Sequence, residues 1–183
     1  MAQPVFTIGH STRPIEAFVG LLQESRVACL MDVRRLPGSR AFPQYDAPAL
    51  RASLAAVDIE YEYLAELGGR RGGGKHFPDA RNALWRNASF RHYADYAMGA
   101  EFRDGLLQLE QRAADTRCAV MCAEAVWWRC HRRIIADHLL ADGFEVLHIM
   151  APGKVVAATP TPGAMFTRAG VSYPEPDTDG AAT

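Results

Sequence analysis

The sequence has 183 residues, of which 49% are hydrophobic and 22% are charged. This length and composition are typical of one soluble globular domain with a sizeable core. The formal net charge is −1 at pH 7, so no overall positive field favours nucleic-acid binding, although the charge does not exclude nucleic acid as a partner.

No apolar run reaches the length of a transmembrane helix, so no membrane partner is expected. Residues 5–8 are apolar but too few for a signal peptide, and no basic region precedes them. The four cysteines are therefore expected to be reduced thiols in a cytoplasmic protein rather than the disulfides of a secreted one.

Short apolar segments that predict β-strands alternate with segments whose apolar residues are three and four apart, which predict helices. The strands are expected at residues 5–9, 27–31, 59–63, 118–122 and 144–150, the third of them near a sheet edge because it alternates. The helices are expected around residues 14–22, 48–54, 90–98, 101–112 and 134–140. This alternation predicts an α/β fold with a mainly parallel sheet of about five strands and helices on both faces.

One domain is predicted to span residues 1–150, because the alternation of strands and helices ends there. Residues 151–183 are rich in Pro, Gly, Thr and Ala and are expected to form a C-terminal extension. Its tail, from about residue 174, is expected to be partly disordered because it cannot bury enough apolar surface.

The Gly- and Arg-rich region at residues 67–89 is longer than an ordinary connection, which indicates a functional or mobile loop. Within it, Gly69-Arg-Arg-Gly-Gly-Gly-Lys75 nearly matches the phosphate-binding loop of nucleoside triphosphatases. His76 stands where that loop needs a hydroxyl residue for magnesium, so this activity is rejected. Whether the region is an Arg-rich lid over a phosphate stays open.

The candidate site is the segment Cys122-Ala-Glu-Ala-Val-Trp-Trp-Arg-Cys-His-Arg-Arg133, which joins a predicted strand to a predicted helix. It concentrates thiols, a carboxylate, an imidazole, guanidinium groups and indoles that core packing does not need. The first helical turn is expected to direct His131 at the sheet, with Cys130 and Arg132 on either side. Residues 126–129 offer no capping side chain, so the helix N–H groups are open to an anion and favour a Cys130 thiolate.

Polar residues also follow the other predicted strands. Ligands of parallel sheets bind at the carboxyl ends of the strands, which meet at one edge of the sheet. The residues expected to converge there are His10, Ser11, Asp32, Arg34, Tyr63, Cys122, Glu124 and His148.

Four motifs in order resemble the uncharacterised family named domain of unknown function 488. They are Thr7-Ile-Gly-His-Ser11, Asp32-Val-Arg-Arg-Leu-Pro-Gly-Ser39, Leu67-Gly-Gly69 and Cys122-Ala-Glu124 with Cys130-His-Arg132. The likeness spans about residues 6–150 and implies a compact cytoplasmic α/β protein of bacterial type, without an established activity. Some members carry labels that relate them to nucleic acids or repair. The matching positions are His10, Ser11, Asp32, Arg34, Pro37, Ser39, Gly68, Gly69, Cys122, Glu124, Cys130, His131 and Arg132.

These residues predict an enzyme that acts on a phosphate-bearing substrate, such as a nucleotide or nucleic-acid end. Cys130 would be the nucleophile, with His131 or His10 as the base and Glu124 or Asp32 as the acid/base partner. A small anionic or nucleotide-like ligand is the expected partner, and the residues identify no cofactor. The predicted substrate-binding residues are Ser11, Arg34, Ser39, Cys122, Trp127, Trp128 and Arg132.

Simpler roles stay open for several of these residues. Trp127 and Trp128 could stack on a base or could simply be buried in the loop. Asp32 could pair with Arg34, and Ser39 could be a turn residue.

Other site chemistries also stay open. The residues Cys122, Cys130, His131 and His148 could bind zinc, although their spacing is unlike that of structural zinc modules. Cys122 could instead form a redox dithiol with Cys130 or Cys118, although Cys118 and Cys122 lie on one face of an extended strand and too far apart for a bridge. A non-catalytic anion- or metal-binding module is the contrasting class.

Overall fold

The computed structural model of the chain describes residues 3–69 and 80–176. Its core is a six-stranded sheet in the order β3-β2-β4-β1-β5-β6. All neighbouring strands are parallel except β5 and β6, which are antiparallel, and β3 lies at an edge as predicted. The strands are β1 (Val5–Gly9), β2 (Cys29–Asp32), β3 (Glu60–Tyr63), β4 (Cys118–Cys122), β5 (Val146–Ala151) and β6 (Lys154–Ala157).

The five predicted helices are confirmed, with ends that differ by a few residues. They are α1 (Ile15–Glu24), α2 (Ala47–Ala55), α3 (Ala88–Tyr96), α4 (Ala100–Asp115) and α5 (Arg132–Ala141). His131 reaches the end of β2 as expected, with Nε2 3.0 Å from the Val33 carbonyl oxygen. It does so as the N-cap of α5 rather than from the first helical turn, and it is half-buried. Arg132, at the first helical position, is the side chain buried against the sheet, with 1% of its surface exposed.

Helices cover both faces of the sheet, which confirms the predicted α/β architecture. Successive strand side chains point to opposite faces, so β4 places Met121 among the residues of α1 and α2 and Val120 among those of α3, α4 and α5. All residues of β1, β2 and β4 are buried, as central strands covered on both faces require. This packing holds the carboxyl ends of the central strands in fixed positions.

The chain after residue 150 contributes strands that the sequence did not predict. In addition to β6, a hairpin is formed by β7 (Met165–Thr167) and β8 (Gly170–Ser172). Next to it, Tyr173 is buried and donates a hydrogen bond to Asp137 Oδ2 of α5 at 2.7 Å. Strands of three or four residues with exposed side chains carry too little apolar pattern to be recognised.

Two predictions lie outside the described residues. The lid proposed within the Gly- and Arg-rich region falls on residues 70–79, and the end of the expected disordered tail falls on residues 177–183. In the described part of the chain, no helix has both the length and the apolar character needed to cross a membrane.

Candidate active site

A cleft of about 760 Å³ opens at the carboxyl ends of β1, β2 and β4, beside the N-terminus of α5. The convergence follows from parallel pairing, which brings strand ends to the same edge of the sheet. Eight predicted site residues are among those that line the cleft: His10, Ser11, Arg34, Ser39, Cys122, Glu124, Cys130 and His131.

The ends of β1 and β4 are locked together at the floor of the cleft. Gly9 is in register with Cys122, and the next two residues donate backbone hydrogen bonds to the carbonyls of Cys122 and Ala123, at 2.9 and 3.0 Å. A Cβ atom at Gly9 would lie 1.8 Å from the carbonyl oxygen of Glu124. Glycine is therefore required in this motif because the loop after β4 passes directly over β1.

Cys122 and Cys130 lie side by side, with their sulfurs 2.7 Å apart and the residues 3% and 5% exposed. Burial raises the pKa of Cys130, but the hydrogen bond from Cys122 and the positive charges of His131 and Arg132 lower it well below its ordinary value. Burial and the hydrogen bond to Cys130 raise the pKa of Cys122. These opposite shifts favour the thiolate on Cys130 and the proton on Cys122.

His131 connects Cys130 to a fixed acceptor. Its Nε2 lies 3.0 Å from the carbonyl oxygen of Val33, which can only accept, so Nε2 carries the proton. Nδ1 then faces Cys130 Sγ at 3.4 Å, where it is placed to take the thiol proton and to hold it beside the thiolate. A Cβ atom on Gly69 would lie 2.6 Å from this Nδ1, so the second glycine of the Leu67-Gly-Gly69 motif leaves room for the ring. The result is a nucleophile, a base and a group that orients the base.

Asp32 serves Arg34 rather than facing the cleft. The carboxylate is fully buried and accepts hydrogen bonds from the backbone N, Nε and Nη2 of Arg34, and from Tyr61 Oη at 2.7 Å. Arg34 lines the cleft with 5% of its surface exposed. Its buried Nη1 has no hydrogen-bond partner among the described residues. The guanidinium is thus held in place beside the cleft with one charged N–H group unpaired, and a bound anion would supply the missing acceptor.

His10 supplies a second base. Its ring stacks on Tyr45 with centroids 4.1 Å apart, and Nδ1 lies 2.8 Å from the carbonyl oxygen of Ser11, so Nε2 is unprotonated. Burial lowers the pKa of His10, so the ring is neutral at neutral pH. Ser39 ends its motif in a turn, where Oγ accepts a hydrogen bond from the backbone N of Phe42 at 3.0 Å. The side chain of Glu124 stands at an exposed position of the cleft.

The structure does not bring Trp127, Trp128, Arg132 or Asp32 to the cleft. The Trp127 ring stacks on His148 with centroids 4.5 Å apart, and Trp128 is 45% exposed and packs edge-on against Trp127. Arg132 lies behind the loop, where Nη2 donates to the carbonyl oxygen of Glu124 at 2.6 Å. Arg132 therefore supports the loop, and its positive charge lies next to Cys130 Sγ without lining the cleft.

Several lining residues were not predicted, among them Phe90, Tyr93 and Arg129. Phe90 and Tyr93 belong to α3, where an aromatic residue at helical spacing has the same pattern as a core residue. Arg129 could have been predicted, since it lies in the segment 122–133 that the sequence analysis identifies as the candidate site.

A metal ion would find three donors in this site. In the described part of the chain, Cys122, Cys130 and His131 form the one group whose ligand atoms all lie within 4.8 Å of one another. Two sulfurs and an imidazole nitrogen suit zinc, and the Val33 carbonyl would hold the His131 ring in place by accepting a hydrogen bond from Nε2. His148 is not part of this group, because its Nδ1 is hydrogen-bonded to Thr7 Oγ1 at 2.7 Å on the far side of Arg132.

The model of the family described as "Domain of unknown function DUF488" matches residues 14–139, more than half of the chain. The chain belongs to this family. The DUF488 match includes the motifs around Asp32, Gly69, Cys122 and Cys130. It begins at residue 14, after β1, so His10 lies outside it. No curated protein and no solved structure matches the chain. The family description gives no activity, so the geometry of the cleft is the basis for any function.

Proposed function

We propose that this DUF488 protein is an enzyme that uses Cys130 as a nucleophile on a phosphate-bearing substrate, such as a nucleotide or a nucleic-acid end. The observation that carries the proposal is the chain from Cys130 Sγ through His131 Nδ1 and Nε2 to the Val33 carbonyl, at 3.4 and 3.0 Å. A core cysteine does not require an oriented imidazole, whereas a nucleophile does.

The proposed reaction has two stages. The Cys130 thiolate attacks an electrophilic carbon or phosphorus of the substrate and forms a bond from sulfur to that atom. The leaving group departs with a proton delivered by His131 Nδ1. A water or an acceptor alcohol then displaces Cys130, and His10 Nε2 takes its proton. This sequence describes a hydrolase or a transferase.

Three features support an anionic substrate. The buried Nη1 of Arg34 needs an acceptor, and the rest of that guanidinium is held rigidly by Asp32. Arg129 adds a second positive charge, and Phe90 of α3 offers an aromatic surface to the same cleft. The cleft volume of about 760 Å³ is that of ordinary small-molecule sites.

The test is a turnover screen of nucleoside phosphates and short phosphorylated oligonucleotides, with products separated by chromatography. Replacement of the nucleophile in Cys130→Ser is expected to lower kcat by about a thousandfold or more. Glu124→Gln should lower kcat while substrate binding is retained, because we propose the cleft carboxylate of Glu124 as the acid/base partner of these steps. Cys118→Ser is the matched control, because Cys118 is buried on β4 outside the cleft. Near-normal turnover by Cys130→Ser would exclude the proposed mechanism.

The alternative is a non-catalytic metal-binding module, favoured by the three donors within 4.8 Å. It predicts stoichiometric zinc binding that is lost in His131→Ala and no turnover of any phosphorylated compound. Zinc titration of the apo-protein beside the turnover screen separates the two functions.

A further inference from the structure

The proposed reaction leaves one group of the cleft without a task, namely the thiol of Cys122. Its sulfur lies 2.7 Å from that of Cys130, and both residues line the cleft. A small buried hydrophobic residue would fill the same volume, so a thiol placed against a nucleophilic sulfur calls for a chemical explanation.

We propose that Cys122 is a resolving thiol and that the Cys122–Cys130 pair reduces hydroperoxides. The inference rests on the proposed function only in that it uses Cys130 as the nucleophile. It adds a substrate class, hydrogen peroxide or a small organic hydroperoxide, and a covalent state of the protein that substrate hydrolysis does not require.

The first step oxidises Cys130. Its thiolate attacks one peroxide oxygen, the sulfur–oxygen bond forms as the oxygen–oxygen bond breaks, and the departing oxygen leaves as water or an alcohol with a proton from His131. In the second step, Cys122 Sγ attacks the resulting sulfenic acid. The disulfide forms, and the hydroxyl group leaves as water with the Cys122 proton. The two sulfurs lose the two electrons that the peroxide gains, and an external dithiol restores both thiols by exchange.

Several contacts favour this chemistry at Cys130. The Nε and the backbone N of Arg132 both lie 3.5 Å from Cys130 Sγ, so donors surround the sulfur that is attacked. Arg132 cannot turn away, because its Nη2 is held by the Glu124 carbonyl oxygen at 2.6 Å. Cys130 lines the cleft, so a molecule as small as a peroxide can approach its sulfur from there.

The backbone also permits the disulfide without unfolding. Cys122 is the last residue of β4, and Cys130 directly follows a short 3-10 turn that is closed by its own N–H to the Trp127 carbonyl at 3.2 Å. The sulfurs already meet with these elements in place. The loop of seven residues between them already brings the two sulfurs together, so oxidation requires no movement of distant segments.

The chain supplies an internal control in Cys29 and Cys118. These two residues are paired in register on β2 and β4 and are both fully buried, but neither is among the residues that line the cleft. Like Cys122 and Cys130, these two thiols are buried and hydrogen-bonded to each other, but they lack access to the cleft.

The experiment treats the reduced full-length protein with a stoichiometric amount of hydrogen peroxide, then alkylates free thiols after denaturation and identifies them by mass spectrometry. The expected product is a Cys122–Cys130 disulfide with Cys29 and Cys118 still alkylated.

Two variants separate the roles of the two sulfurs. In Cys122→Ser, a sulfenic acid on Cys130 should accumulate and be trapped by dimedone. In Cys130→Ser, peroxide consumption should fall by about tenfold or more, because the thiolate is the reacting species. Dithiothreitol should restore both thiols in the wild-type protein.

Two results would overturn the inference. One is oxidation of Cys29 and Cys118 as fast as that of Cys122 and Cys130. The other is direct conversion of wild-type Cys130 to a sulfinic acid with no disulfide, which leaves the proposed nucleophile intact and removes the role of Cys122. Failure of the proposed function is distinct, because it shows as normal substrate turnover in Cys130→Ser. Cys118→Ser tests whether any lost oxidation reflects a folding defect.

Discussion

The two ends of β4 carry two cysteine pairs in different surroundings. At its start, Cys118 lies in register with Cys29, and at its end Cys122 contacts Cys130. In each pair a shared hydrogen bond separates the two pKa values, lowering that of Cys29 and that of Cys130 and raising those of their partners. Proximity and a perturbed pKa therefore occur at both ends of the strand.

The ends differ in what surrounds the sulfurs. Near Cys29, Arg112 forms ion pairs with Glu60 and Glu62 of β3, so the positive charge of Arg112 is already neutralised. The Cys130 end has an oriented imidazole and the Arg34 group with an unmatched Nη1. Two adjacent thiols alone therefore do not mark a candidate site. The location at the carboxyl edge of the parallel sheet is what distinguishes Cys122 and Cys130 from the core pair.

The largest expected difference is in alkylation of the native protein by iodoacetamide. Cys130 should react about a hundredfold faster than Cys29, because it combines a lowered pKa with access to the cleft. Since the pKa of Cys130 is lowered, its thiolate persists below the ordinary titration range of a thiol and its rate should stay high as the pH falls. Mass spectrometry of each peptide against pH gives the measurement. Equal rates at Cys29 and Cys130 would remove the distinction between the two ends.

The His131 position can be perturbed without touching the thiols. In Gly69→Ala the new Cβ atom would lie 2.6 Å from His131 Nδ1 and must displace the ring, so Cys130 alkylation should slow by about tenfold. Gly20→Ala in α1 is the matched control, because nothing lies within 4 Å of its new Cβ atom. An unchanged Cys130 rate in Gly69→Ala would show that the imidazole does not activate the sulfur.

The two arginines provide a second matched pair. Arg34→Lys replaces a planar group that Asp32 holds at two atoms, and should weaken inorganic phosphate binding by about tenfold. Arg112→Lys keeps a partly exposed charge beside Glu60 and Glu62 and should leave phosphate binding unchanged. Isothermal titration of both variants against the wild type measures the effect. Similar losses in the two variants would mean that phosphate binds through net charge alone.

The smallest effect is expected at the opposite end of β4. Cys118→Val is close to volume-conserving at a fully buried apolar position and should change the free energy of unfolding by less than about 1.5 kcal/mol. Turnover and peroxide reduction should both match the wild type. Urea denaturation and the two activity assays report this, and a loss of either activity with normal stability would connect the two ends functionally.

The sequence is sufficient for β1 to β5 and for the residues that end them, because periodicity and the rule for parallel sheets depend on local pattern alone. It predicts His10 and Arg34 at the same edge as Cys122, and all three residues line the cleft. The sequence does not show whether Asp32 pairs with Arg34 or acts as an acid, since both roles use a carboxylate at a strand end. The structure shows the pairing with Arg34.

Other features depend on contacts that exist only after folding. Arg132 is buried because the Glu124 carbonyl turns toward it, and no spacing in the sequence shows this. The same holds for Trp127, whose partner His148 is 21 positions away on β5. The contact of Cys122 with Cys130 depends on the path of the loop between them, so the sequence leaves it as one option among several.

The hydrogen bond between Tyr173 and Asp137 bears on how much chain a functional fragment must contain. Asp137 lies on α5, the helix whose N-terminal end carries Cys130 and His131, and it also accepts a hydrogen bond from the backbone N of Thr161 at 2.9 Å. A fragment trimmed to residues 14–139, the span matched by the family model, would discard both donors together with β1 and β5 from the middle of the sheet. The smallest piece that can present an intact cleft therefore runs from β1 through Tyr173 and is longer than the family signature.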